Sequence, residues 1–134
     1  MTQPHQLLHP RAWKQPKGYA NGIAATGRVV FLAGQVGWNA DQQFCSEDFV
    51  EQSRQVLENI VALVREAGGR PEHLTRLTWF VLDKKEYLSR LHELGQVYRS
   101  IMGSHFPAMT LVQVTALVED RAKVEIEATA VVPA

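Results

Sequence analysis

The sequence lacks several features that would place its 134 residues in a specialised class of protein. It has a single cysteine, Cys45, so no internal disulfide can form, and a reducing cytoplasm is the expected location. It has no excess of charge, because 14 basic side chains balance 14 acidic ones. A neutral chain does not attract phosphate backbones or anionic membranes over long range, so neither nucleic acid nor membrane is an expected partner.

Long apolar runs and ligand motifs are also missing. No apolar stretch approaches the roughly 18 residues that a membrane-spanning helix needs, and the N-terminal residues lack the pattern of a signal peptide. The histidines are scattered and no HExxH or CxxC spacing occurs, so no protein-bound metal is expected. Neither a GxGxxG motif nor a P-loop is present. The sequence therefore predicts a water-soluble domain without a metal or a nucleotide.

Two segments have apolar residues at three- and four-residue spacing, which is the pattern of amphipathic helices. The first predicted helix covers residues 48–67, with Ser46 as its N-terminal cap. The second starts at Asp83, where Asp83 and Glu86 have the spacing of a capping box, and it ends at Gly103. Both helices have one apolar face and must therefore pack against another element.

The remaining periodic segments read as strands. Two β-prone stretches flank a predicted hairpin turn at Thr26-Gly27, and a second hairpin turn is predicted at Val118–Arg121. The other strands are bulky, β-branched or alternating in polarity, and they cover residues 74–82, 109–117 and 123–131. The order ββαβαββ predicts an α+β fold in which two helices cover one face of a sheet.

The chain is long enough for one domain, which we expect to span residues 1–134. Residues 1–18 contain three prolines and little periodicity, so they are predicted to form an extended N-terminal arm along the surface. The strand at 74–82 carries apolar side chains on both faces, with Phe80 and Leu82 on the face away from the helices. Because such a face is rarely left in water, we expect subunits to associate through it.

Few residues stand out as candidates for chemistry. Glu125 and Glu127 leave the same face of the last strand about 7 Å apart, an arrangement that suits general acid–base work. Periodicity alone also fits the simpler interpretation that they form the water-facing side of that strand. His105 and Cys45 have no partner motif, and the three tryptophans are more typical of a core or an interface than of a pocket.

Five segments taken together, in this order and spacing, resemble the RidA/YjgF family of imine and enamine deaminases across nearly the whole chain. They are "AGQVG", "QVLENIVALVREAGG", "LTRLTWFVLD", "FPAMTLVQV" and "KVEIEATAV". The resemblance implies a chorismate-mutase-like single domain with a six-stranded mixed sheet. It further implies a homotrimer with small-molecule clefts between subunits and a reaction in which water releases ammonia from an imine without any cofactor.

The resemblance also implies which residues form the site. The family tyrosine corresponds to Tyr19, although the chain reads Lys-Gly-Tyr where the family has Gly-Pro-Tyr. The glycine of the strand motif corresponds to Gly34, and the cleft glutamate, which would position water and transfer a proton, corresponds to Glu125. Substrate-binding positions on the next-to-last strand correspond to Met109 and Leu111.

Met109 is the departure from the family pattern. The family has "PAR" where this chain has "PAM", and the arginine's bidentate grip on a substrate carboxylate is replaced by a thioether with almost no hydrogen-bonding capacity. Two hypotheses follow: a hydrolase of imines or related substrates with little activity on 2-aminoacrylate-derived imines, or a non-catalytic trimer that binds a metabolite. Arg11, Arg28 and Arg121 of a neighbouring subunit are candidates for a replacement charge, whereas the neutral composition disfavours ribonuclease activity.

Overall fold

The computed structural model describes residues 4–134. Six strands and three helices follow one another along the chain. The strands are β1 (Gln6–Leu8), β2 (Gly22–Ala24), β3 (Arg28–Val36), β4 (Leu74–Val81), β5 (Ala108–Gln113) and β6 (Val124–Val132). The helices are α1 (Phe49–Glu66), α2 (Lys84–Ser89) and α3 (Leu91–Met102), and a short 3-10 turn, Pro71–His73, precedes β4. None of these helices is long and apolar enough to span a bilayer.

The predicted α+β class is confirmed, but the six-stranded mixed sheet that the family resemblance implies is wrong, because the six strands fall into two separate sheets. Four of them form a mixed sheet in the order β3-β6-β4-β5, in which β4 and β5 are parallel and the other neighbours antiparallel. The other two, β1 and β2, form a separate antiparallel ribbon. The predicted N-terminal arm, residues 1–18, contributes β1 to this ribbon.

Both predicted hairpins are wrong. The strands on either side of Thr26-Gly27 do not pair, because β3 pairs with β6. Gly27 lies against the end of β6, where a Cβ would come within 2.3 Å of the Val132 carbonyl oxygen. Likewise β5 and β6 are separated by β4. Both edges of β6 pair with a neighbour, which makes it a central strand, and between Val124 and Ala130 its buried apolar side chains alternate with less buried polar ones.

The helices lie on one face of the four-stranded sheet, as predicted. Apolar residues of α1 and α3 form a single buried cluster with the side chains of β4 and β6 that point to the same face, including Leu57, Ile60, Val97, Leu77 and Ile126. Each of these side chains contributes roughly 1.5–3 kcal/mol of hydrophobic free energy on burial, before the cost of ordering the chain. This helix-covered face is therefore the core of the domain.

The second predicted helix is interrupted at Arg90, whose backbone leaves the helical region at φ −117 and ψ 19. Asp83 caps α2 as predicted, whereas α1 is capped by Asp48 and not by Ser46. The Arg90 guanidinium bonds to Asp48 at 2.9 Å and to Glu93 at 2.8 Å. The hydrogen bond from Arg90 lowers the pKa of Asp48 below its ordinary value. The ion pair between Arg90 and Asp48 therefore connects the break between α2 and α3 to the N-terminus of α1.

Three histidines are buried together where the N-terminal arm meets the 3-10 turn. The His5 imidazole bonds to the His73 carbonyl oxygen at 3.1 Å, and the His105 imidazole bonds to the Leu74 carbonyl oxygen at 2.8 Å. Burial lowers the pKa of His73 and of His105 below the ordinary value of 6.5. Both rings are therefore neutral at pH 7, and their protonation opposes folding.

We predict that the protein loses stability as the pH falls from 7 to 5. The unfolded chain protonates these histidines near pH 6.5, whereas the folded chain does so only at lower pH. The free energy of unfolding decreases by at most about 1.4 kcal/mol for each pH unit by which the pKa of a buried histidine is lowered. Melting temperatures measured between pH 5 and pH 7 test this prediction. This range lies above the pH at which Asp48 titrates.

The matched variants are His105→Gln and His92→Gln. A glutamine at 105 keeps a donor for the Leu74 carbonyl oxygen but does not titrate, so the dependence of melting temperature on pH flattens. His92 is exposed, and its replacement should leave the dependence unchanged. Equal dependence in the wild type and in His105→Gln would show that His105 is not a source of the effect.

Candidate functional site

A cavity of about 470 Å³ opens between the helix-covered face and the N-terminal arm. Its volume is typical of small-molecule sites. The sheet supplies Trp79, Met109 and Leu111, the helices supply Tyr87, Leu91, Leu94, Gly95, Tyr98 and Arg99, and the arm and the loop before β5 supply Lys17, Gly18, Tyr19 and Phe106. Among residues 4–134, no three His, Cys, Asp or Glu side chains are placed to hold a metal ion.

Strand register explains why two of the predicted residues line this cavity. In the parallel pairing of β4 with β5, Leu77 is opposite Met109 and Trp79 is opposite Leu111. Residues directly opposite each other point to the same face of a sheet. Leu77 and Trp79 are buried beneath the helices, so Met109 and Leu111 point to the helix-covered face as well, where both are half-buried.

Tyr19 reaches the same cavity because the arm is fixed to the edge of the sheet. The Ala20 amide donates to the Pro107 carbonyl oxygen at 3.0 Å, and Ala20 forms a parallel bridge with Ala108. This places Lys17 and Tyr19 at the rim, where the Tyr19 side chain is 42% exposed. The structure thus brings together three predicted site residues, Tyr19, Met109 and Leu111.

Glu125 lies on the opposite, open face of the sheet. It pairs with Phe80 of β4, whereas its neighbour Ile126 pairs with Trp79 and is fully buried beneath the helices. The Glu125 carboxylate forms no ion pair with any residue in the described part of the chain. Within one subunit, the predicted glutamate therefore does not line the cavity that contains Met109.

Gly34 lies beside Glu125 on the open face of the sheet and does not line the cavity. The register between β3 and β6 shifts between Leu32 and Gln35, so that Ala33 and Gly34 together oppose one residue of β6 in a β-bulge. A Cβ at position 34 would come within 2.1 Å of Oε2 of Glu125. Glycine at this position therefore leaves the space that the Glu125 carboxylate occupies.

The aromatic wall of the cavity is neutral. Burial raises the pKa of Tyr87 and, more strongly, that of Tyr98. The Tyr98 hydroxyl donates to the His105 carbonyl oxygen at 2.8 Å, and its ring stacks on Phe106. Of the three tryptophans, only Trp79 lines the cavity, because Trp13 is exposed and Trp38 packs on Phe44.

The cavity also has two cations that the sequence patterns do not predict, Lys17 and Arg99. A signal for Arg99 was present, because Gly95 is an isolated glycine inside a helix and stands four residues before it. Within one subunit the cavity is not lined by Arg11, Arg28 or Arg121, and a charge from a neighbouring subunit stays a prediction. Arg28 donates to the Ala67 carbonyl oxygen at 2.6 Å, Arg121 pairs with Glu47, and Arg11 does not line the cavity.

An α+β domain with an apolar cavity on one sheet face and a glutamate beside a bulge on the other resembles proteins already known. A family model described as Endoribonuclease L-PSP matches residues 11–132. A 2-iminobutanoate/2-iminopropanoate deaminase from Salmonella typhimurium is 33% identical over 116 residues, covering 84% of this chain and 86% of the relative. A RutC family protein from Haemophilus influenzae is 32% identical over 128 residues, with 94% and 96% covered.

The comparison with solved structures leads to the same family. The crystal structure of YyfB from Yersinia pestis, a protein of unknown function in the conserved Rid family, superposes with a TM-score of 0.86 at 28% identity. The match covers 96% of this chain and 99% of that one. The chain therefore belongs to the RidA/YjgF family, as its sequence motifs predict.

We predict that the close approach of Gly34 and Glu125 is measurable as energetic coupling. Gly34→Ala forces the end of the Glu125 side chain to move, which costs about 1 kcal/mol of off-rotamer strain. In a Glu125→Ala background the same substitution meets no carboxylate and costs less. Denaturant unfolding of the two single variants and the double variant measures the coupling. Strictly additive effects would mean that the two residues do not touch.

Proposed function

We propose that this protein is a hydrolase of imines, enamines or related small substrates whose site forms between subunits. The observation that carries the proposal is the division of the site residues between the two sheet faces. A cavity with Tyr19, Met109 and Leu111 lies on one face, and Glu125 with Gly34 lies on the other. A site that uses both halves needs a neighbouring subunit to bring a glutamate to the cavity.

The proposed chemistry needs only water. The Glu125 carboxylate accepts a proton from a water molecule as the water oxygen adds to the carbon of the C=N bond, and it passes this proton to the imine nitrogen, which gives a carbinolamine. The carboxylate then accepts the proton of the new hydroxyl group and passes it to the amino nitrogen as the C–N bond breaks, so that ammonia leaves and the C=O bond of an oxo compound forms. No cofactor takes part, and an ion pair does not compete for the carboxylate within the described chain.

Met109 sets the expected limit on substrates. Relatives from Salmonella typhimurium and Escherichia coli are named 2-iminobutanoate/2-iminopropanoate deaminases. The "PAM" sequence places a half-buried methionine where the family pattern has an arginine. A bidentate contact of arginine with a carboxylate contributes roughly 1.5–3 kcal/mol and fixes the orientation of the substrate. We therefore propose that this protein is an inefficient deaminase of those two imino acids.

We predict that Met109→Arg increases the deaminase activity. The new guanidinium offers the carboxylate of 2-iminobutanoate the hydrogen bonds that the thioether lacks, so kcat/KM rises about tenfold or more. Ammonia release from 2-iminobutanoate generated in the assay measures the effect. Met109→Leu is the matched control, because it keeps the apolar wall and should leave the rate unchanged.

Glu125→Gln decides whether the site is catalytic. Loss of the carboxylate should reduce any turnover by about a hundredfold or more, because a glutamine cannot accept the proton. Wild-type turnover equal to that of arginine-containing relatives would refute the role given to Met109. If no imine is hydrolysed by the wild type or by Met109→Arg, the non-catalytic binding trimer is the better account.

We further propose that the open face of the sheet forms the contact of a homotrimer. This face carries the exposed apolar side chains of Val29 and Phe31, with relative exposures of 54% and 80%, and Val112 at 40%. Apolar residues exposed together on one sheet are typical of an interaction surface. We expect the protein to function in the cytoplasm with a small-molecule ligand and without nucleic acid, since its net charge is +0.

We predict that Phe31→Glu dissociates the trimer. A charge buried at an apolar contact without a partner opposes association strongly. Val118→Glu is the control, because Val118 is 93% exposed in the loop between β5 and β6. Light scattering coupled to size-exclusion chromatography should give a trimer for the wild type and for Val118→Glu, and a monomer for Phe31→Glu. A monomeric wild type would refute the proposed assembly.

A further inference from the structure

The cavity that contains Met109 has positive charge at its rim. Its two ionisable side chains of fixed charge are Lys17 on the arm and Arg99 in the last turn of α3, and no carboxylate of the described chain lines it. The surrounding wall is apolar or aromatic. An excess of two cations in one cavity is a local property, since the chain as a whole has a net charge of +0. The local charge favours an anionic ligand.

Arg99 is available to such a ligand. It is exposed and forms no ion pair with any carboxylate among residues 4–134. Gly95, one helical turn earlier, leaves space for the guanidinium: a Cβ there would lie 3.3 Å from Nη1 of Arg99. A planar guanidinium with unoccupied donors is suited to a carboxylate.

Trp79 provides an independent sign of a missing partner. The side chain lines the cavity and is 4% exposed, and its indole Nε1–H is buried with no hydrogen-bond acceptor within the described chain. A buried donor without an acceptor has an energetic cost, because it has lost its hydrogen bond to water. A ligand that brings an acceptor oxygen into the cavity would remove this cost.

The size and lining of the cavity indicate the rest of the ligand. About 470 Å³ is the volume of roughly 16 water molecules at about 30 Å³ each, and 2-iminobutanoate has only seven non-hydrogen atoms. Tyr87, Leu91 and Leu94 supply apolar and aromatic surface from the helices. A ligand that fills this space therefore has a larger apolar part than a short acid has.

We propose that the cavity binds a carboxylate with an aromatic or similarly bulky apolar body, with Arg99 and Lys17 at the carboxylate. In this arrangement the cation that recognises the anion lies on α3 and the arm, and Met109 contacts the apolar body. The inference concerns the cavity of the proposed function and defines its ligand class. It requires binding only, and not hydrolysis.

Isothermal titration calorimetry with phenylacetate and phenylacetamide tests the proposal. The two probes have the same shape and differ in charge. Phenylacetate should bind about tenfold more tightly than the amide, and more tightly than acetate, which lacks the ring. Arg99→Gln should abolish the preference for the carboxylate without weakening the binding of phenylacetamide, and Lys17→Gln should reduce it partly.

Arg65→Gln is the matched control, because Arg65 is also an exposed arginine in the last turn of a helix, α1, and does not line the cavity. It should leave both affinities unchanged. Equal affinity for phenylacetate and phenylacetamide, a preference that survives Arg99→Gln, or no binding of either probe would overturn the proposal.

Ammonia-release assays keep this inference separate from the proposed function. Carboxylate-selective binding that depends on Arg99, in a protein that hydrolyses no imine, supports the inference and refutes the hydrolase. Hydrolysis that depends on Glu125, together with equal binding of the two probes, supports the hydrolase and refutes the role of Arg99.

Discussion

The alternation of side chains across β4 and its two neighbours is the constraint on which the site depends. Successive residues of a strand point to opposite faces, so Trp79 lies beneath the helices while Phe80 lies on the open face. The pairing with β5 and β6 passes this alternation on to Met109 and Glu125. A shift of one residue in either pairing would exchange the faces and move a core residue into water. The core and the division of the site are therefore fixed by the same register.

Much of the fold could be predicted from local patterns. The helix at Phe49–Glu66 and the Asp83 cap follow from spacing and capping chemistry, which depend on neighbouring residues only. The two hairpins could not be judged in that way, because a turn-forming sequence does not say whether its strands pair. Strand β6 is instead inserted between β3 and β4, where its apolar side chains are covered. The pairing of β6 therefore depends on burial over the whole sheet and not on the local turn sequence.

The site could be predicted as a set of residues but not as a geometry. The family motifs identify Tyr19, Gly34 and Glu125 without showing that the tyrosine and the glutamate lie on opposite sides of the sheet. Arg99 is not predicted, because the isolated Gly95 does not show which side chain uses the space beside it, and the access of Arg99 to the cavity depends on how α3 packs after the interruption at Arg90. Side chains that act through tertiary packing leave little periodic signal in a sequence.

The central claim is that the cavity and the glutamate form one site only between subunits. A crystal structure of the assembled protein tests it most directly, through the position of each Glu125 carboxylate relative to the nearest Met109 of a neighbouring subunit. The account predicts that the carboxylate of one subunit opens into the cavity lined by Met109 and Leu111 of the next. An assembly in which no neighbouring subunit brings a Glu125 carboxylate to that cavity would contradict it.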